Sequence, residues 1–348
     1  MKKLGIVVAL LWVLAAGATA QELLSGTEAI PNAEVYRSAV RSEAGYPLGV
    51  FVTRPKGATG KLPVLFEVAW LSGDSVAQPK GVEDGFTQLV WDLAGQSGFA
   101  TFRVDKPGVG ESGGPKCSEL DWTTELAAYR AAFAAMRNYD FLDTSRVYLL
   151  GFSNGGGVAP LVAGDAAVRG YLVFSGWYKT WLEHMLEHER RRLRLKGTAE
   201  LEINRQMRLF ATFYDRYLNG KLTPAQAIAE HPECKAIWYD EPEHQYGRPA
   251  AFYQQLQALN LAEAWEKVNV PVLAVHGEYD WVMSTDDYRL LVNALNARKP
   301  GSAEYVEWPK ADHSLYVHAD LHKAFGEDKA QKYDPGLTAA VLKWLRGH

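Results

Sequence analysis

Cysteine is almost absent from the 348-residue chain: Cys117 and Cys234 are its only two. That count excludes a disulfide framework and a cysteine-rich zinc site, and allows at most one bond. Long apolar runs are as scarce. One runs from Leu4 to Ala16, and nothing later reaches the ~20 residues of a membrane-spanning helix. No sustained basic block is present, and 37 Lys and Arg against 41 Asp and Glu give a net charge of −4, so a nucleic-acid surface is not implied. Fixed-period repeats and low-complexity tracts are also missing. With 47% hydrophobic and 22% charged residues, the composition is that of an ordinary globular chain, not of a coiled coil, a collagen or a disordered segment.

The N-terminal apolar run follows Met1-Lys2-Lys3 and precedes Ala18-Thr19-Ala20, the charged, apolar, small-residue order of a secretory signal peptide cleaved after Ala20. Residues 1–20 are therefore expected to be removed, leaving a secreted or periplasmic protein with no stable membrane span. An oxidising compartment permits a Cys117–Cys234 bond; two separate thiols are the alternative, and the spacing leaves both open.

Strand-like and helix-like runs alternate along most of the remainder. Residues 37–54 read as an antiparallel hairpin turning near Gly45-Tyr46-Pro47. Residues 64–69, 99–104, 147–150 and 171–174 read as short buried strands, with helices expected over 86–94, 122–136 and 154–163. The rhythm stops at Gly176. Residues 177–265 are helix-forming with no convincing strand, and then strand 270–275, helix 286–296, strand 303–308 and helix 337–345 resume it. The expectation is an α/β fold with a mostly parallel sheet, built from residues 21–175 and 265–348, with a helical insertion over 176–264.

Gly151-Phe152-Ser153-Asn154-Gly155 carries the sharpest chemical signal, because it joins an expected strand directly to an expected helix. A G-x-S-x-G sequence in that setting holds its serine at a strained turn. A serine hydroxyl is a weak nucleophile, so a base and an orienting acid are required. Strand 270–275 leads into His276-Gly277-Glu278-Tyr279-Asp280, and strand 303–308 into Lys310-Ala311-Asp312-His313-Ser314. Ser153, Asp280 and His313 thus share the edge where parallel sheets place their sites.

The order Ser153, Asp280, His313, with a helical insertion between serine and acid, resembles the α/β-hydrolase superfamily over nearly all of the mature chain, and most of all its capped exported esterase and peptidase-like members. Asp105-Lys106-Pro107-Gly108-Val109-Gly110-Glu111-Ser112-Gly113 is similar to the family's glycine-rich loop. The resemblance implies Ser153 as nucleophile, His313 as general base and then acid, and Asp280 as the residue orienting the imidazole. It implies hydrolysis of a small-molecule carboxylic ester through an acyl-enzyme, without metal or organic cofactor. An exported peptidase or aminopeptidase of the same fold, or a silent binding protein, are the alternatives. One stretch departs from the family pattern: Glu67-Val68-Ala69-Trp70-Leu71-Ser72-Gly73 stands where many members carry His-Gly. The Asn154 N–H is the expected first oxyanion donor, with Trp70 or else Leu71 as the second.

Rival residues have plainer readings. Asp286 and Asp287 suit the start of a helix, Asp312 points elsewhere, His276 is a packed, hydrogen-bonded histidine, and Ser72, Ser75 and Ser112 are turn residues. His184-Met185-Leu186-Glu187-His188 matches the zinc-protease pattern H-x-x-E-H, but an amphipathic helix with solvated polar residues accounts for it and for Arg190, Arg191, Arg192 and Arg194. Trp177, Tyr178, Trp181, Trp238, Tyr239, Tyr246 and Trp281 are candidates for a substrate pocket or for simple core packing.

Overall fold

The computed structural model describes residues 23–82, 84–326 and 332–348. The expected signal peptide lies outside them. Strands β1 (Leu24–Ser25), β2 (Ala33–Arg41), β3 (Pro47–Pro55), β4 (Leu62–Val68), β5 (Ala100–Val104), β6 (Leu142–Phe152) and β7 (Gly170–Phe174) come first. After β7 the chain leaves the sheet, makes only the two-residue pair β8 (His244–Gln245) and β9 (Arg248–Pro249), and returns with β10 (Val272–Gly277) and β11 (Ala303–Trp308). The nine-stranded sheet has the order β1-β2-β3-β5-β4-β6-β7-β10-β11. Its first four strands pair antiparallel and all later neighbours pair parallel. Another two-residue pair, β12 (Tyr316–Val317) and β13 (Lys332–Tyr333), lies after β11.

The apolar runs of the parallel strands serve two faces at once. On β4, Val64, Phe66 and Val68 join one core while Leu65 joins the other; on β10, Val272 and Ala274 face one way and Leu273 and Val275 the other. Helices α1 (Gly85–Gln96), α2 (Trp122–Ala135) and α3 (Asn154–Ala163) connect the first strands, and α1 covers one face with Phe86, Leu89 and Leu93 while α2 and α3 cover the other. The excursion after β7 contributes α4 (Trp181–Leu195), α5 (Glu200–Tyr214), α6 (Pro224–Glu230), α7 (Ala250–Gln257) and α8 (Leu261–Glu266). Then α9 (Thr285–Arg298), α10 (Leu321–Phe325) and α11 (Pro335–Gly347) complete the chain.

Two differences from the sequence reading have local causes. Strand β6 begins at Leu142, five residues before the apolar run, because Leu142 pairs with Leu62 across an irregularity in the ladder. The β8–β9 pair interrupts the helical excursion at Tyr246-Gly247, where both residues have positive φ and close a tight turn. The cysteines are both free. Cys117 Sγ packs against Gly73, and Cys234 Sγ donates to the Leu209 carbonyl at 3.7 Å, so the bond allowed by the sequence is not formed.

Candidate active site

Each parallel strand ends at one edge of the sheet, and four of the loops found there converge. The sharpest is the turn from β6 into α3, where Ser153 sits at φ 52° and ψ −118°. An L-residue held there carries a strain of ~1–3 kcal/mol. Its surroundings impose it: Ser153 N–H donates to Phe174 O at 2.9 Å, and the crossing beneath is so close that a Cβ on Gly155 would lie 2.0 Å from Val68 O of β4. A Cβ on Gly151 would meet the turn's own Gly155 carbonyl at 2.7 Å, so only one of the two glycines faces a neighbouring strand. Asn154 opens α3; its side-chain oxygen accepts from Trp177 Nε1 at 3.1 Å, and its N–H is among the first-turn donors no helix carbonyl reaches.

His313 stands between the serine and an acid. Its Nδ1 lies 2.9 Å from Asp280 Oδ2, and its Nε2 lies 2.9 Å from Ser153 Oγ. An ionised carboxylate only accepts, so Nδ1 carries the proton and Nε2 is left to accept from the serine hydroxyl. Burial pulls the imidazole pKa down, but the charge and hydrogen bond of Asp280 outweigh it and the net shift is upward. Burial likewise opposes ionisation of Asp280, and the His313 charge and hydrogen bond overcome it, bringing the carboxyl down to about 2. The other carboxylate oxygen accepts from the N–H groups of Val282 and Met283, both at 2.9 Å.

Both loops are braced. Arg191 of α4 donates to the Trp281 and Val282 carbonyls at 3.0 and 2.8 Å, holding the acid's loop. Asp312 accepts from the N–H groups of Ser314 and Tyr316 and pairs with His318 at 2.7 Å, holding the histidine's loop. Asp286 and Asp287 both occupy the first turn of α9, but Asp287 is buried and accepts from the N–H groups of Tyr178 and Lys179 at the entrance to α4. His276 is packed as expected, yet neither ring nitrogen has a hydrogen-bond partner among the described residues; the strand end leaves Asp280 3.9 Å away.

The loop after β4 is held from behind by two buried cations. Lys106 Nζ donates to the carbonyls of Trp70 and Ser72, and Arg248 donates to the Leu71 carbonyl at 3.0 and 2.6 Å while pairing with Glu125 at 2.8 Å. A trans peptide sends its carbonyl and the next N–H in opposite directions. The held carbonyls are those of Trp70, Leu71 and Ser72, so the N–H groups turned away from the cations are those of Leu71, Ser72 and Gly73. Neither the Trp70 nor the Leu71 N–H has an acceptor among the described residues. Ser72 and Ser75 make turn contacts, to Asp74 and with the Ala77 N–H, but Ser75 also donates to Asp105, and Ser112 accepts from the Gly49 N–H and donates to the Asp105 carbonyl, tying the glycine-rich loop to β3.

A cavity of about 530 Å³ opens onto Ser153 and His313. Trp70 and Phe86 wall it from the sheet side, and Trp181, His184 and His188 from α4. Of the other aromatic candidates, Tyr239, Tyr246 and Trp281 line it, whereas Trp177 is core and Trp238 packs on Phe213. The two histidines of the H-x-x-E-H sequence are not solvated, both imidazoles being buried, whereas Glu187 is half-exposed and turns to Lys179 at 2.6 Å. No cluster of three metal-binding side chains occurs among the described residues. The roles of Lys106, Arg191 and Arg248 had no signal in the sequence, since each depends on a contact made far along the chain.

A family model described as serine aminopeptidase, S33, matches residues 84–319. The fold is shared with the ferulic-acid-bound esterase Est1E of Butyrivibrio proteoclasticus, 17% identical with a TM-score of 0.57 over 89% of this chain and 98% of that one. The acetyl xylan esterase of Paenibacillus sp. R4 is 14% identical with a TM-score of 0.54 over 94% and 88%. A hypothetical protein of Pseudomonas aeruginosa is 16% identical with a TM-score of 0.54 over 98% and 100%. No curated protein matches the chain.

Proposed function

The chain belongs to the serine aminopeptidase S33 family and is a serine hydrolase of the α/β-hydrolase fold, and from that premise we propose that it is an exported enzyme cleaving a carboxylic ester through a Ser153-His313-Asp280 triad. The observation that carries this reading is the hydrogen-bonded chain of two 2.9 Å contacts ending on a serine at a strained strand-to-helix turn. Ser153 Oγ attacks the ester carbonyl as its proton passes to His313 Nε2. Asp280 stabilises the imidazolium and fixes its tautomer. The N–H groups of Asn154 and of the Trp70–Leu71 segment hold the developing oxyanion. His313 then protonates the departing alcohol, leaving the acyl group on Ser153. Water, deprotonated by His313, attacks that ester in turn, and the acid is released as Ser153 regains its proton. Export rests on the order of residues in the first twenty positions.

A second reading, amide cleavage as an aminopeptidase, is favoured by the description of the family itself. Purified protein treated with a fluorophosphonate probe, then assayed on p-nitrophenyl esters against aminoacyl-naphthylamides, separates the two. Labelling that is lost in Ser153→Ala, with ester turnover exceeding amide turnover, is expected. Labelling with the opposite preference supports the peptidase, and absence of labelling supports a silent binding protein.

A further inference from the structure

The triad uses neither histidine of the His184–His188 sequence, yet both are buried against the reaction cavity. Spacings of three and four residues place Trp181, His184, His188 and Arg192 on one stripe of α4, and that stripe forms a wall of the cavity. The stripe's first three residues are 2%, 4% and 5% exposed, whereas Tyr239, whose ring Arg192 covers from the far end of the stripe, is 50% exposed. His184 thus lies at the enclosed end of the wall.

The polar groups of this wall divide sharply. Arg192 pairs with Glu189 at 2.6 Å, and Tyr239 donates to Glu189 at 2.7 Å, so the charges near the mouth already have partners. The imidazoles do not. His184 Nδ1 is buried without a partner, and no described residue bonds either Nε2; His188 Nδ1 alone has one, the Val282 carbonyl at 3.3 Å. Burial, with the positive charges of α4, holds both rings neutral, pushing His188 down to about 3. Flat aromatic surfaces enclose them: Trp181 lies 4.7 Å from the His184 ring and Trp281 lies 5.2 Å from that of His188. A ligand matching this wall is uncharged, flat and apolar, and carries a hydroxyl that can reach an imidazole nitrogen.

We infer that the cavity selects an ester bearing a hydroxylated aromatic ring, with Trp181 and Trp281 as walls for the ring and His184 and His188 as hydrogen-bonding partners of its hydroxyl. The inference rests on the ester reading above. The ring can reach the site on the acyl or the alcohol side of the ester, and substrates distinguish the two. Methyl 3-(4-hydroxyphenyl)propanoate against methyl 3-phenylpropanoate tests the acyl side; 2-(4-hydroxyphenyl)ethyl acetate against 2-phenylethyl acetate tests the alcohol side. In both pairs the hydroxyl is insulated from the carbonyl, so intrinsic reactivity is matched. The wild-type protein is expected to favour the hydroxylated member of one pair by about 10-fold in kcat/KM, the effect of one hydrogen bond in a dry site. His184→Phe and His188→Phe should bring that ratio toward one, and His188→Gln, which retains a polar end, should restore part of it. Equal rates within both wild-type pairs overturn the inference even if no variant folds, as does a preference that survives both Phe substitutions. Hydrolysis of p-nitrophenyl acetate separates this failure from failure of the ester reading: a protein that cleaves it without discriminating either pair is an esterase with a different selectivity.

Discussion

At the scale of single residues, Asp280 has both carboxylate oxygens committed, one to two backbone N–H groups and one to His313. Replacing it with Asn offers Nδ1 an amide donor and favours the tautomer whose Nε2 already carries a proton, which cannot receive one from Ser153. Asp280→Asn is therefore expected to lower kcat by ~10⁴ on a p-nitrophenyl ester. Asp286→Asn, in the exposed first turn of α9, should stay within about twofold, the scale of a surface dipole contact. Exchanged outcomes would reassign the acid. The protonation of His313 sets the pH dependence. Only the neutral imidazole accepts the serine proton, and its pKa is raised above the ordinary 6.5. As pH falls, kcat/KM should thus decline through a midpoint above 6.5, while Asp280, at about 2, stays ionised throughout. A midpoint at or below 6.5 in the pH profile would contradict the Asp280 assignment.

Among elements, the loops after β4, β6, β10 and β11 form the site, and each is held by groups from elsewhere. Arg248 reaches from β9 to the loop after β4, joining Leu71 and Glu125 through one guanidinium. Arg248→Met leaves the Leu71 carbonyl and the Glu125 carboxylate buried without their partner, a loss of about 3–5 kcal/mol in stability. It also frees the Leu71–Ser72 peptide plane, which adjoins the plane carrying the Leu71 N–H of the proposed second oxyanion donor. We expect kcat to fall by up to ~10², below the ~10³ limit for losing a donor outright, with KM little changed. Arg248→Lys should recover little, because one ammonium cannot serve both partners in the same geometry. Calorimetry with steady-state kinetics checks both parts; a stability loss with wild-type kcat would confine Arg248 to folding.

For the whole molecule, the helical excursion is joined to the sheet by ion pairs and hydrogen bonds. Arg191 to the loop after β10, Arg248 to the loop after β4, and Asp287 to the start of α4 make three such links. None is covalent, since Cys117 and Cys234 are both free. Denatured but unreduced protein should titrate two thiols, and reductant should leave the melting temperature where it was. One missing pair of thiols would show a bond formed on oxidation. Wider motion of the excursion is limited by these links together with the apolar core it shares with the sheet, where Trp181, Met185, Phe210 and Tyr253 join the cluster of Val64 and Val173.

The alternation of apolar runs was enough to read a mostly parallel sheet covered on both faces, because burial of a strand imposes its pattern on adjacent residues. The G-x-S-x-G turn was legible for the same reason: the close crossing at Gly155 excludes every side chain, and that requirement is written at one position. Order along the chain put Ser153, Asp280 and His313 at one edge, but only the folded sheet brings their side chains to hydrogen-bonding distance. The clamp on the loop after β4 was beyond reach of the sequence, as Leu71 and Arg248 lie 177 positions apart and neither shows its partner. So was the aim of His184 and His188. An amphipathic helix with polar residues on one face reads the same whether that face meets water or a cavity, and here tertiary packing chose the cavity. The thiols make the same point, since bond formation depends on the distance between two Cα atoms that no spacing encodes.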